Sequence, residues 1–477
     1  MLGKKSILIN LSQATKELAM NKRRSFIKKT ALGTTALTLG VPAMSMSAKS
    51  YRRILGANDR INMCVIGTRG QGFGHLRRWA GLSKDDNVMV KTICDVDEAL
   101  WAERVKAVAD IQGSAPGTEF DMRRVFDDQD IDAVSIATPN HWHALATIWG
   151  VQAGKDVYVE KPCAHNVFEG RKMVEAARKY NQIVQVGFQN RSIQNVRKAM
   201  QFLHDGGIGD VYMAKGMCYK PRDSFGIAPD SDPPKELHYD MWLGPAQWRP
   251  YNEKKGHYNW HWHWATGNGD IGNQGPHQFD VARWGLNKSE HPVKVSSFGG
   301  YYKYGKDECS QETANTQTAL IEYADGKVLE FEVRGLYTMG EGSMDVKIGN
   351  LFYGTEGWME LDGGTWKTYM GKDNEPGPGS ETEEENGVDL GYLAAPGGGG
   401  HYRNFITAVR SRKQSDLTCD IEEGFYSTVL PLLSNISYRL GRTLEFDGKS
   451  EKFVNDMEAD KMLTRDYREP YIVNDKV

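Results

Sequence analysis

Between Ile61 and Val159 the chain alternates short apolar runs with helix-length segments, and a glycine-rich turn follows the first run. That first run, Ile61-Asn62-Met63-Cys64-Val65-Ile66, passes into Gly67-Thr68-Arg69-Gly70-Gln71-Gly72 and then a helical segment through Trp79-Ala80. A second run, Val88 to Cys94, ends in Asp95. A stretch with Ala99, Ala102, Val105 and Val108 is helix-like, and the apolar run Ile131 to Thr138 ends in Pro139-Asn140. Another helix is predicted from near His141 to Gly154, before Val157-Tyr158-Val159 runs into Glu160-Lys161-Pro162. Strands and helices alternating at these lengths predict a doubly wound parallel sheet. Ligands of such sheets sit at the carboxyl ends of strands, so Gly67, Asp95, Pro139 and Lys161 are expected to line one crevice.

The glycine turn has a specific use. In a Gly-x-Gly-x-x-Gly turn the first glycine makes the tight bend and the second admits a pyrophosphate against the backbone. The third lets helix and strand pack closely. Here Arg69 holds the middle position and Gly70 follows it, so the turn alone is a weak signal. Asp95 strengthens it: 23 residues after Gly72, at a strand end, a carboxylate accepts hydrogen bonds from adenosine ribose hydroxyls and repels a 2′-phosphate. The expected cofactor is therefore NAD rather than NADP, with Arg69 the feature that points the other way.

The second half reads as strands and helices of a different kind. Ile183 to Phe188 is a strand ending in Gln189-Asn190-Arg191, and the next, after Ile208-Gly209-Asp210-Val211, ends near Lys220-Pro221-Arg222. Alternating stretches Val293 to Phe298, Thr316 to Tyr323, Lys327 to Val333 and Asp345 to Tyr353 predict long sheet strands. Between them lies His257-Tyr258-Asn259-Trp260-His261-Trp262-His263-Trp264. Three readings stand for it. One is a sugar-binding wall in which Trp260 and Trp262 face C–H patches while Arg191 or Arg222 bonds hydroxyls. The second is a buried packing loop. The third is a metal site on His257, His261 and His263, although no Cys, Asp or Glu completes a standard spacing, and no metal is expected. Gly371 to Gly400, rich in Gly, Pro and Glu, reads as a long surface loop or lid, with amphipathic helices following at Tyr402 to Val409 and Phe425 to Leu440.

The segments Gly67 to Gly72, Asp95, Thr138-Pro139-Asn140-His141-Trp142-His143, Glu160-Lys161-Pro162 and Gly267 through Asp280 together resemble the glucose–fructose oxidoreductase/inositol dehydrogenase (Gfo/Idh/MocA) family. The resemblance covers roughly Arg60 to Asp447. It implies an α/β Rossmann domain with a doubly wound parallel sheet over 58–185. A C-terminal α+β domain over 186–450 follows, with a large open, mostly antiparallel sheet that often mediates homo-oligomers, and residues 451–477 form a tail. It implies that Lys161 holds the reacting hydroxyl, that His277 serves as acid/base, and that the cofactor lies along Gly67, Thr68, Arg69, Gly70, Gly72, Asp95, Thr138, Pro139, Asn140, His143, Glu160 and Lys161. Many members carry Asp four residues before the histidine; here the position is Asn273, which orients substrate but takes no proton. Asp270 and Asp280 are the nearby carboxylates, and Asp270 joins Asn273 and His277 in the expected substrate set. The implied activity is hydride transfer between NAD and a sugar, glycoside or polyol hydroxyl. Two alternatives are kept. A branch of the family cleaves glycosidic bonds by transient oxidation, elimination and reduction, but it generally lacks the Glu-Lys-Pro pattern. A non-catalytic sugar-binding or sensory protein on the same fold is the other.

Composition adds boundaries. A length of 477 residues suits two domains, and a net charge of −3 gives no reason to expect nucleic acid as a partner. Six scattered cysteines without a Cys-x-x-Cys pair are expected to be reduced, structural thiols. Lys22-Arg23-Arg24-Ser25-Phe26-Ile27-Lys28, a mildly apolar run to Met44 and the small residues Ser45 to Ala48 read as a twin-arginine export signal over 1–48. Its apolar part is too short for stable membrane insertion. Periplasmic export, away from free NAD, leads to the expectation that the cofactor is held tightly and recycled in place.

Overall fold

The computed structural model describes residues 59–380 and 400–477; the export signal read at 1–48 and residues 381–399 of the 371–400 loop lie outside them. The first half runs β1 (Ile61–Ile66), α1 (Gly70–Gly81), β2 (Val88–Cys94), α2 (Trp101–Gln112), β3 (Gly117–Glu119), α3 (Met122–Asp127), β4 (Ala133–Ile136), α4 (Asn140–Gln152), β5 (Asp156–Val159), α5 (Val167–Tyr180) and β6 (Val184–Val186). These six strands form one parallel sheet in the order β3-β2-β1-β4-β5-β6. The order reverses beside β1, which places the topological switch point next to the glycine turn.

The inner strands β1, β4 and β5, with β6, are buried on both faces, which is why they are mostly apolar, whereas the edge strand β3 is polar and largely exposed. Met63, Val65 and Tyr158 face Leu76 and Trp79 of α1. Cys64, Ile66, Val157 and Val159 belong to the opposite core with Leu145, Ile148 and Met173. The period-two alternation of a strand makes that division.

The second half contains α6 (Gln194–His204), β7 (Val211–Cys218), α7 (Tyr239–Leu243), α8 (Gly269–Asn273), α9 (Gly275–Gly285), β8 (Lys294–Gly300), β9 (Thr316–Glu322), β10 (Val328–Arg334), β11 (Ile348–Gly354), β12 (Gly357–Asp362), β13 (Thr365–Met370), β14 (Glu375–Gly379), α10 (Gly400–Ser411), α11 (Ile421–Leu440), β15 (Leu444–Asp447), β16 (Lys452–Phe453) and α12 (Met457–Asp460). Its sheet has ten strands in the order β14-β13-β12-β11-β7-β10-β9-β8-β15-β16, antiparallel except where β7 pairs with β10. Strand β10 shows how sequence sets its faces: Leu329, Phe331 and Val333 are buried while Glu330, Glu332 and Arg334 alternate with them. Phe331 stacks on Phe279 of α9 at 4.1 Å between ring centroids, tying the sheet to the helix that follows the site.

Part of the segment read as a loop from Gly371 is a strand. β14 pairs with β13 despite Pro376 and Pro378 because it is the edge strand, where a missing N–H on the outer side breaks no ladder bond. The two halves share a core: Tyr402, Phe405 and Ile406 of α10 complete the packing over Trp79 and Tyr158. All six cysteines are buried free thiols. Among the described residues no helix is long and apolar enough to cross a membrane.

Candidate active site

A cleft of about 530 Å³ opens across the carboxyl ends of β1, β2, β4 and β5 and reaches the segment around α7, the turn 257–262 and the end of α8. Its floor at one end is the glycine turn. Gly67 has φ +79, and a Cβ there would come within 2.9 Å of the Ala137 and Thr138 backbone. At Gly72 a Cβ would lie 1.8 Å from the Gly67 carbonyl, so helix α1 approaches the strand as closely as only glycine permits. Gly70 opens α1 at φ +37 with free space where its side chain would be, so a helix N-terminus and bare backbone face the cleft. That is the geometry that binds a pyrophosphate.

Asp95 stands beside this turn. It accepts bonds from the Thr68 backbone N–H at 2.6 Å, the Thr68 hydroxyl at 2.9 Å and the Asp97 N–H at 2.9 Å. Burial raises its carboxyl above the ordinary value, and these donors offset only part of that rise. A carboxylate has roughly four acceptor positions, so three internal bonds leave one for a ribose hydroxyl. Arg69 is turned onto Asp97 in an ion pair. A 2′-phosphate placed here would meet two carboxylates and a guanidinium already neutralised. Buried Thr138 Oγ1 and Asn140 Oδ1, both in the cleft wall, have no hydrogen-bond partner within the described residues. Bare turn, acid and these two polar atoms fit a dinucleotide.

Lys161 lines the cleft beyond the glycine turn, at the end of β5. Its Nζ donates to the Asn273 main-chain carbonyl at 2.9 Å. Burial pulls its pKa below the ordinary lysine value, against the opposing charge of Glu160. Glu160 accepts from His75 Nε2 at 3.0 Å, Gln189 at 3.0 Å, Gln71 at 3.3 Å and the Lys161 N–H at 3.2 Å. Burial alone would raise Glu160, but the His75 bond and the charges of His75 and Lys161 outweigh it and hold the carboxyl well below its usual range. His143 is clasped between the Pro162 and Thr138 carbonyls, 2.7 and 2.8 Å from its ring nitrogens, and so joins the ends of β4 and β5.

The other expected residues divide. Trp260 and Asn273 line the cleft, as does Arg222, whose Nε donates to Asp270 at 2.6 Å. Asp270 is buried behind that arginine. Burial raises its carboxyl, and Arg222 offsets part of the rise. Trp262 is not in the wall: only 3% exposed, it packs under Arg222 and beside Phe225. Arg191 is also removed from the expected substrate set. Asp280 takes it in a doubled ion pair at 2.9–3.0 Å, with Glu423 beside it, because a buried guanidinium needs a carboxylate. His277, on the first turn of α9, is buried and is not among the residues lining the cleft. Burial, then the Lys161 charge, brings its pKa to about 3, so the ring is neutral at pH 7.

The aromatic run divides the same way. It folds as a 3-10 turn over His257–Trp262 rather than a strand, so alternation does not set its faces. Tyr258, Trp260 and His261 face the cleft, with His261 stacked on Trp260 at 3.6 Å, while His263 turns inward to Glu312. Among the described residues no three His, Cys, Asp or Glu side chains converge as a metal site. Asp97, His75, Lys220, Trp242 and Tyr258 also stand in or beside the site without having been singled out as site residues from sequence. Asp97 and Lys220 each sit two residues from a residue that was, and that spacing was the available signal.

A glycine-turn crevice that runs from a strand-end acid to a strand-end lysine defines a dinucleotide-binding oxidoreductase fold. Residues 61–188 match the family model described as oxidoreductase family, NAD-binding Rossmann fold. Residues 226–330 and 392–473 match that of its C-terminal alpha/beta domain. The chain belongs to the Gfo/Idh/MocA oxidoreductase family, and its Rossmann domain is the NAD-binding one. Among curated relatives it is similar to a levoglucosan dehydrogenase of Pseudarthrobacter phenanthrenivorans, 38% identical over 96 residues, which is 20% of this chain and 25% of that protein. A glycosyl hydrolase family 109 protein of Shewanella pealeana is 30% identical over 167 residues, 34% of this chain and 33% of the relative. The aligned parts thus span a third or less of those proteins. Levoglucosan dehydrogenase in complex with NADH superposes with a TM-score of 0.60 at 20% identity, over 81% of this chain and 99% of the other. Aldose–aldose oxidoreductase from Caulobacter crescentus gives 0.60 at 15%, over 81% and 100%. These likenesses describe the fold.

Proposed function

We propose that the protein transfers hydride between a tightly held NAD and a hydroxyl-bearing carbon of a sugar, glycoside or polyol, with Lys161 and His277 governing the hydroxyl proton. The observation that carries this reading is one continuous cleft with the glycine turn and Asp95 at one end and Lys161 facing aromatic rings at the other. The nicotinamide supplies the hydride acceptor. The chain supplies the rest. Lys161 Nζ, fixed by the Asn273 carbonyl, takes the hydroxyl proton once its own charge is lost. His277, a buried neutral ring, lies within electrostatic reach of Lys161 and Glu160, and the Glu160 carboxylate sets how firmly Lys161 holds its proton. Trp260 and Tyr258 offer flat apolar faces to sugar C–H patches, and Arg222 is held rigid by Asp270 to donate toward hydroxyls. Relatives named for levoglucosan oxidation support the substrate class.

The names of the glycosyl hydrolase relatives favour one second reading, redox-neutral cleavage through a transient keto-sugar. Purification, release of the cofactor and absorbance measurements with a panel of sugars and glycosides separate the two. Net oxidation accumulates reduced cofactor, whereas cleavage releases a sugar without it. Absence of any bound or responding nicotinamide contradicts both. The proposal includes export through the twin-arginine route, supported by Arg23-Arg24-Ser25-Phe26, and assembly into a homo-oligomer. Retention in the cytoplasm of both the native chain and its Arg23→Lys, Arg24→Lys form contradicts the export part.

A further inference from the structure

The two ends of the cleft differ in charge. Asp95 and Asp97 line the end beside the glycine turn, and Glu160, further in, is occupied by four donors. Beyond Lys161 the wall carries Lys220 and Arg222, which flank Pro221 just past the end of β7. Of the cations lining the cleft, Arg69 is paired with Asp97, Arg104 with Glu103 and the Thr68 carbonyl, Arg222 with Asp270, and Lys161 donates to Asn273. Lys220 has no hydrogen bond or ion pair within the described residues, and it lies within electrostatic reach of both Lys161 and Asp270.

Three cations therefore share this end with Asp270, whose side chain is 4% exposed and covered by Arg222. Arg222 is rigid, held at Nε by Asp270 and with its guanidinium 4.8 Å from the Trp262 ring centre. A neutral sugar offers Lys220 nothing that water does not. An oxyanion gains charge-assisted hydrogen bonds from Lys220 and from the guanidinium nitrogens of Arg222, and with Asp270 the only carboxylate set against them among the described residues these cations leave this end of the wall positive.

We propose that the substrate is an anionic sugar, one bearing a carboxylate or a phosphate ester, whose oxyanion is held by Lys220 and Arg222 while a ring carbinol faces Lys161. This rests on the oxidoreductase reading for the carbinol but not for the anion. The cofactor-loaded protein is titrated calorimetrically with glucose, glucuronate and glucose 6-phosphate, and the same sugars are assayed by the absorbance of reduced nicotinamide. The expected result is that at least one anionic sugar binds roughly tenfold or more tightly than glucose, an advantage that shrinks as salt is raised. A stronger response to glucuronate assigns the carboxylate, and a stronger response to glucose 6-phosphate assigns the phosphate. Lys220→Gln narrows the anionic-to-neutral ratio and Lys220→Glu narrows it further. Equal binding of charged and neutral sugars, no binding of either anion, or a ratio untouched by both variants overturns the proposal. Salt-dependent anion binding with no sugar altering the cofactor leaves the anion site standing and counts against net oxidation of these sugars.

Discussion

Lys161 Nζ donates to the main-chain carbonyl of Asn273 over 2.9 Å, joining the end of β5 in the Rossmann domain to the end of α8 in the second domain. The contact fixes the amine that faces the cleft without using a carboxylate, so the lysine's affinity for protons is set chiefly by burial and by Glu160. Replacement by methionine keeps the bulk and removes the base. The expected loss in kcat is about 10²–10⁴-fold, with cofactor still bound in full stoichiometry. Steady-state rates and cofactor content measured on the same sample check it.

The same arrangement sets a pH dependence. Lys161 accepts a proton only when uncharged, so kcat/KM for oxidation rises with pH and levels off once the amine is neutral. Burial lowers its pKa, so the plateau is reached below the ordinary value of 10.5. Glu160→Gln removes a charge that favours the ammonium and moves the rising limb to lower pH. His277, at about 3, contributes no limb near neutrality. A pH profile of both proteins measures the displacement; a limb moving upward in Glu160→Gln contradicts the assignment.

Cofactor choice follows from two acids. With Asp95 beside the ribose position and Asp97 neutralising Arg69, the protein is expected to prefer NAD over NADP by about a hundredfold or more, since like-charge contact costs several kcal/mol. Asp97→Asn frees Arg69 and narrows that preference. Dissociation constants for the two dinucleotides check it.

Gly72 tests the turn itself. Alanine there puts a Cβ 1.8 Å from the Gly67 carbonyl, so α1 must shift away from β1. The expected cost is about 1–3 kcal/mol of stability together with weakened cofactor binding, read by thermal unfolding with and without NAD.

Much of this was legible in sequence because local rules carry it. The strand-end positions of Gly67, Asp95, Pro139 and Lys161 follow from alternation of short apolar runs and helices, and they converge as a parallel sheet requires. The misplacements have one physical origin: which partner a long side chain meets across the fold. Arg191 reads as a sugar-binding cation until Asp280, 89 residues away, takes its guanidinium in the core. Trp260 and Trp262 are indistinguishable in composition, yet a 3-10 turn sends one to the cleft and the other beneath Arg222. β14 was hidden by its prolines, which only an edge position tolerates.

The Arg191 correction is itself testable. Arg191→Gln leaves Asp280 buried with a lost partner, and the expected destabilisation is about 3–5 kcal/mol in unfolding, with KM for the sugar unchanged in the folded fraction. A raised KM at unchanged stability returns Arg191 to the substrate set.

One cleft is proposed to hold NAD and to place Lys161 at the reacting hydroxyl. The most direct test is a single-turnover measurement on cofactor-loaded protein, following reduced nicotinamide after mixing with a sugar, for the native chain and for Lys161→Met. The native protein is expected to form reduced cofactor at a rate that rises with pH, and the variant to give a slow, pH-independent trace. Equal rates and equal pH dependence in the two proteins contradict that placement.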